Sequence, residues 1–218
     1  MVRLGDFYEN QVTSERVVVL RGDEDAAPGE SAFGHLTVAP HGAVAGEHVH
    51  PRFSERFIVI SGTQGVRLNG VEGRLEAGPE ATAGPGVAHD WWNAGEDYAS
   101  VLVEVEGPDE QRRRFDAMFA TIFGLANAGR TNARGMPGLL QLALLAREFQ
   151  DVIVFTRPPR VIQGPLFAVL GALGRLRGLR GVYPEYLHAH GRTQPDPAAV
   201  ALAGLEPRDW GAETGSES

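Results

Sequence analysis

Between Val17 and about Glu106 the apolar residues come in short runs broken by polar and turn-forming positions: VVVL at 17–20, FGHLTV at 33–38, EHVH at 47–50, RFIVI at 56–60, GVRL at 65–68 and SVLVEV at 100–105. Short β-branched or alternating runs separated by Gly, Asn and Pro predict an antiparallel sandwich or barrel. Asn69-Gly70, between GVRL and VEGRL, predicts a two-residue hairpin, because such a turn needs positive φ and these residue types tolerate it. After Gly107-Pro108 the period changes. Phe115, Met118, Phe119, Ile122 and Phe123 recur at helical spacing, with Asp109 and Glu110 at the positive end of the helix dipole, so a helix is expected from 109 to about 125. A second helix is expected from Pro137 through GLLQLALLAREF, and a third after Pro158-Pro159, with Gly164-Pro165 implying a kink or a late start. DVIVFTR at 151–157 suits either the end of the second helix or a short strand. The chain carries no internal repeat. The expected organisation is a mainly β barrel over 1–108, about three α-helices over 109–187, and a mostly disordered tail over 188–218, where Pro, Asp, Gly and Ser accumulate.

Composition narrows the chemistry. There is no cysteine, which removes disulfides, thiolate ligands and cysteine nucleophiles. All 20 basic residues are arginine, so no lysine is present to form a Schiff base. The formal net charge is −8, and residues 1–108 carry 7 Arg against 17 acids, a balance that argues against nucleic-acid binding. The polar N-terminus lacks a signal-peptide core and no apolar window reaches the ~20 residues of a membrane span, so a cytoplasmic protein is expected. Any metal must sit on histidines and carboxylates.

A candidate set for that role stands in the middle of the β region. Gly42 is followed after five residues by His48, then His50, then Glu55 and, six residues on, Gly62. Two histidines two apart on a strand point to one face. Gly78, Gly86, His89 and Asn93 follow, and His89 on a separate strand can return beside the first pair. The simpler alternative is a set of core histidines that are merely hydrogen-bonded. Three buried imidazoles and a carboxylate would be costly without an ion.

With these residues the chain resembles the cupin superfamily, whose first motif reads G-x5-H-x-H-x3,4-E-x6-G and whose second reads G-x5-P-x-G-x2-H-x3-N. Gly42, His48, His50, Glu55 and Gly62 meet the first, and Gly78, Gly86, His89 and Asn93 meet the second; Gly84 stands where the second motif has proline, with Pro85 next. The resemblance covers residues 35 to 106 closely and implies a cupin-type antiparallel β-barrel, or jelly roll, that holds one divalent transition metal through His48, His50, Glu55 and His89. Fe, Mn, Zn, Ni and Cu all suit such donors, and an octahedral ion keeps two open positions. The helices after 109 lie outside the resemblance.

Around this site, alternation places Phe57 and Val59 inward on the strand after Glu55, and Trp91 on the same face as His89. These three and His35 are the candidate substrate-binding residues, although core filling is favoured over substrate stacking for Trp91 and an exposed or hydrogen-bonded role is favoured for His35. His188 and His190 have no third imidazole or carboxylate at suitable spacing and are read as tail residues. The favoured function is a mononuclear metal oxygenase acting on a small oxygen-rich molecule. A non-redox Lewis-acid isomerase, cyclase or lyase and a non-catalytic sensor are the alternatives. No catalytic base beyond the ligands is apparent. A homodimer is expected, and the Arg-flanked apolar segment from Val161 to Gly174 gives the helices a weak affinity for a membrane surface as an alternative fate.

Overall fold

The computed structural model describes residues 2–43 and 46–206. Ten strands precede the helices: β1 Asp6–Asn10, β2 Glu15–Arg21, β3 Ala32–Val38, β4 His48–Val49, β5 Ser54–Ser61, β6 Gln64–Leu68, β7 Val71–Leu75, β8 Glu80–Ala83, β9 His89–Asn93 and β10 Ala99–Glu106. Then come α1 Asp109–Asn127, α2 Leu139–Glu148, β11 Val154–Phe155, α3 Arg160–Leu176, β12 Gly191–Arg192 and α4 Pro197–Leu202. The strands form two antiparallel sheets, one ordered β12-β1-β2-β3-β10-β5-β8 and the other β11-β4-β9-β6-β7. This is the expected jelly-roll barrel followed by helices.

The hairpin at Asn69-Gly70 forms with φ of 48° and 82°, and pairs Leu68 with Val71. Its neighbour strand β9 lies on the other side of β6, with Leu68 opposite His89. Alternation sorts the sheet faces. Leu36, Val38, Phe57, Trp91 and Val101 fill the lumen, each buried, because directly paired positions such as Leu36 and Val101 share a face. Ile58, Leu102 and Leu20 project from the opposite face.

The helices cover the barrel and help build it. Met118 and Leu125 of α1, Leu145 of α2, and Phe149, Val152 and Ile153 pack with Phe53 and Val105 of the barrel in one core. The ambiguous segment at 151–157 resolves as strand β11, which pairs with β4 through Val154–Val49 and Phe155–His48. One edge of the second sheet is therefore formed by residues from beyond 108. Helix α1 runs two residues past its expected end, α2 starts at Leu139 and not at Pro137, and α3 starts directly after Pro159 with Pro165 inside it. Pro165 sits in the second turn of an exposed helix, where one missing backbone bond is tolerated.

The tail differs from its expected disorder over 188–206. Gly191 and Arg192 pair with Phe7 and Asp6 of β1, and the Glu9 amide donates to His190 Nδ1 at 2.9 Å. Helix α4 is capped by Asp196, whose carboxylate accepts from the Ala198 amide, and it buries Ala199 and Val200 against Leu20, Ile58 and Leu102. Composition predicts disorder because Pro, Asp and Gly dominate there; Ala199 and Val200, with Ala203 and Leu205 packed beside them, suffice to cover an apolar sheet face. Residues 207–218 of that expected tail lie outside the described residues.

Candidate metal centre

His48 ends up on β4, His89 opposite it on β9, and Glu55 on β5 of the other sheet; His50 follows β4 directly. Gly86, at φ 78°, makes a left-handed turn before β9 and donates its amide to the His50 carbonyl at 2.8 Å, so it ties the two halves of the site together. One ligand atom from each of His48, His50, Glu55 and His89 lies within 4.8 Å of the others, and all four side chains are buried.

The hydrogen bonds outside the cluster decide what these atoms can do. His48 Nδ1 lies 2.6 Å from the Gly46 carbonyl, His50 Nδ1 2.7 Å from the Val152 carbonyl, and His89 Nδ1 3.0 Å from the Val87 carbonyl. A carbonyl only accepts, so each ring carries its proton on Nδ1 and, when neutral, turns a bare Nε2 lone pair inward. His48 Nε2 and His50 Nε2 are 3.3 Å apart, and Glu55 Oε2 lies 3.2 Å from His50 Nε2 and 3.3 Å from His89 Nε2. Lone pairs at such separations repel unless a cation stands between them. The donor set and its outward hydrogen bonds fit a divalent metal ion.

The titration behaviour agrees. Burial, reinforced by the neighbouring charges of His50 and His89, pushes the His48 imidazole down to about 3. Burial by itself would raise the Glu55 carboxyl, but its contacts with His50 and His89 outweigh that and hold it well below the usual carboxylate range. Burial also opposes charge on His89, yet the adjacent Glu55 raises it above the ordinary imidazole value. The site thus keeps its carboxylate ionised and favours positive charge beside it, while rejecting protonation at His48.

His48, His50 and Glu55 form part of the wall of a chamber of about 160 Å³. Val17, Leu36, Val103, Met118, Phe119 and Ile122 represent the rest of the lining, which is mostly apolar and includes α1. Of the four expected substrate residues, Trp91 reaches this chamber. Phe57 and Val59 face the lumen but are packed behind it, Phe57 against Trp91 at a ring separation of 5.3 Å. His35 is a correction. It pairs with Leu102 and Val18, on the face away from the lumen, and binds the Ser100 hydroxyl at 2.7 Å. Lumen-facing Gly34 and Leu36 flank it, so strict alternation turns it outward.

Several contributors were invisible to motif reading. The Val152 carbonyl that orients His50 is a backbone atom and leaves no trace in residue type. Phe53 stacks on His50 at 4.2 Å and Phe115 meets the same ring edge-on at 5.9 Å. Tyr8 and Glu15 line the chamber from strands β1 and β2. Glu15 did leave a signal, since it shares the alternating face of Val17 and Val19 in ERVVVL, where a buried face would be apolar.

Residues 34–105 match the family model described as "Cupin domain". Among solved structures, an uncharacterized conserved protein with a double-stranded beta-helix domain from Klebsiella pneumoniae is 27% identical over 42% of this chain and 75% of that chain, with a TM-score of 0.36. A predicted oxalate decarboxylase from Thermotoga maritima is 19% identical over 49% of this chain and 99% of that chain, at a TM-score of 0.42. KdgF from Halomonas sp. is 17% identical over 44% and 82% of the two chains, at 0.37. No curated protein matches the chain.

Proposed function

We propose that this chain, whose residues 34–105 match a cupin domain, is a metal-dependent enzyme whose single divalent ion is held by His48, His50, Glu55 and His89, and that it acts on a small organic molecule taken into the adjoining chamber. One observation carries the reading: three imidazoles, each fixed by an outward Nδ1 hydrogen bond, aim Nε2 at one point beside an ionised carboxylate. A bound ion with two free positions would supply Lewis acidity and, as Fe(II) or Cu(II), a place for substrate and O₂ together.

The chain's own residues determine the rest. One carboxylate against a divalent ion leaves a formal positive charge, which draws an anionic or enolic oxygen of the substrate to the His48–Glu55 side of the chamber. The apolar lining of Val17, Leu36, Val103 and Met118 receives hydrocarbon, so the oxygen donors of the substrate that meet the ion lie at the metal-facing end. This apolar setting supports the oxygenase over the Lewis-acid isomerase, cyclase or lyase, as does the lack of a further carboxyl or imidazole in the metal cluster among the described residues. Incubating metal-reconstituted protein with candidate enols and diols, with and without air, tests it. Substrate-dependent O₂ uptake is expected; turnover without O₂ would select the Lewis-acid branch, and binding without turnover would select the sensor.

Among the described residues no helix is long and apolar enough to cross a membrane.

A further inference from the structure

The chamber has a second polar region. Away from the four clustered residues in sequence, Tyr8 of β1 and Glu15 of β2 line it from strands that lie outside the cupin match. Both side chains are more than nine-tenths buried, at 3% and 5% exposure. Neither the Tyr8 hydroxyl nor Glu15 Oε1 has a hydrogen-bond partner. The register puts them on one face: Tyr8 pairs with Val17 and Asn10 with Glu15, which makes Tyr8 and Glu15 diagonal neighbours on the sheet. Asp116 of α1 also lines the chamber with Oδ2 unpaired.

A buried polar group without a partner costs roughly 1–3 kcal/mol, and more when it carries charge. Two such groups on the wall of one cavity are therefore poor structural elements. Their missing partner is a hydrogen-bond donor, because a carboxyl oxygen accepts and the phenol can accept as well as donate. Val17 and Val19 share the Glu15 face and add apolar surface to the same chamber.

We propose that Tyr8 and Glu15 form a second recognition pole, which binds a donor group, hydroxyl or ammonium, at the end of a mostly apolar substrate whose other end supplies the oxygen donor to the metal. The inference rests on the reading of the metal centre and assigns its substrate class: an amphiphilic molecule with polar ends separated by hydrocarbon.

The test uses the full-length, metal-loaded protein and unbranched carboxylic acids of about four to ten carbons, each compared by calorimetry with its ω-hydroxy and ω-amino counterpart. At one chain length the ω-substituted acid should bind about tenfold more tightly than its parent, the value of one well-made buried hydrogen bond. Glu15→Met and, as a single-atom deletion that preserves packing, Tyr8→Phe should each erase most of that ratio while keeping the metal. Glu15→Gln separates the two donors, since it retains an acceptor for hydroxyl but cannot give up a proton to pair with ammonium as the Glu15 carboxyl can. The ratio reads the second pole, whereas a loss common to both acids on stripping the metal with a chelator reads the metal centre, so the two failures are distinguishable. Equal binding of parent and ω-substituted acids at every length, or a ratio that survives in both Glu15→Met and Tyr8→Phe, would overturn the proposal.

Discussion

The two polar ends of the chamber are built on opposite principles. Around His48, His50, Glu55 and His89 every outward-facing nitrogen is already bonded to backbone, and the inward atoms converge within 4.8 Å. At Tyr8 and Glu15 the polar atoms are buried and unpaired. The first end is complete apart from a cation. The second is incomplete without a ligand. The difference teaches that one protein can hold a fixed, preorganised site and a destabilising recognition surface on a shared apolar wall, each recognisable from its hydrogen-bond accounting.

The largest expected effect breaks the first end. His89→Ala or Glu55→Ala should take purified protein from close to one metal per chain to nearly none, read by elemental analysis. A metal content unchanged from wild type would remove these residues from the ligand set.

Next in size is a test of whether the helical extension belongs to the site. Phe149 is buried in the core that positions Val152, whose carbonyl fixes His50. Phe149→Ala should cost about 3–5 kcal/mol of unfolding free energy in urea and weaken metal binding roughly 10–100-fold, as losses of orienting partners do. Lost stability with unchanged metal affinity would detach the extension from the metal centre.

A smaller effect separates the ends by pH. Burial lifts the Glu15 carboxyl to about 8 from its ordinary value near 4.5. Below the ordinary value both folded and unfolded chains hold the proton and nothing is lost. Between that value and about 8 the unfolded chain releases it first, so folding grows less favourable as pH rises. Glu15→Gln should therefore flatten the pH dependence over this window and be more stable than wild type at pH 8, on the order of a few kcal/mol. Parallel stability curves for the two proteins would show that Glu15 is not held neutral.

The smallest effect concerns the residue that the structure moved out of the lumen. His35→Gln should leave metal content and ω-hydroxy acid binding unchanged, and shift stability by about 1 kcal/mol through the Ser100 contact.

How much of this was legible in sequence follows from what kind of atom does the work. The barrel and its four-residue cluster could be read because side-chain type carries them: His48, His50, Glu55 and His89 at fixed spacing, and Asn69-Gly70 and Gly86 at turns that need positive φ. Phe57, Val59 and Trp91 followed from alternation alone. His35 could be misplaced because its candidate role ignored the same alternation, which Gly34 and Leu36 enforce. The rest depends on long-range pairing. Nothing in DVIVFTR says that Val154 will pair with Val49 or that the Val152 carbonyl will meet a histidine 102 positions earlier. The tail beyond His188 hid a strand and a capped helix because its few apolar residues gain their value only against Leu20 and Leu102.

X-ray absorption spectroscopy on protein purified without added metal tests the central claim most directly. The account predicts one divalent transition metal per chain with three imidazole nitrogens and at least one oxygen at about 2.0–2.2 Å, reduced by one imidazole or lost altogether in His50→Ala. A wild-type protein that binds no metal, or binds one with fewer than three imidazoles, would contradict it.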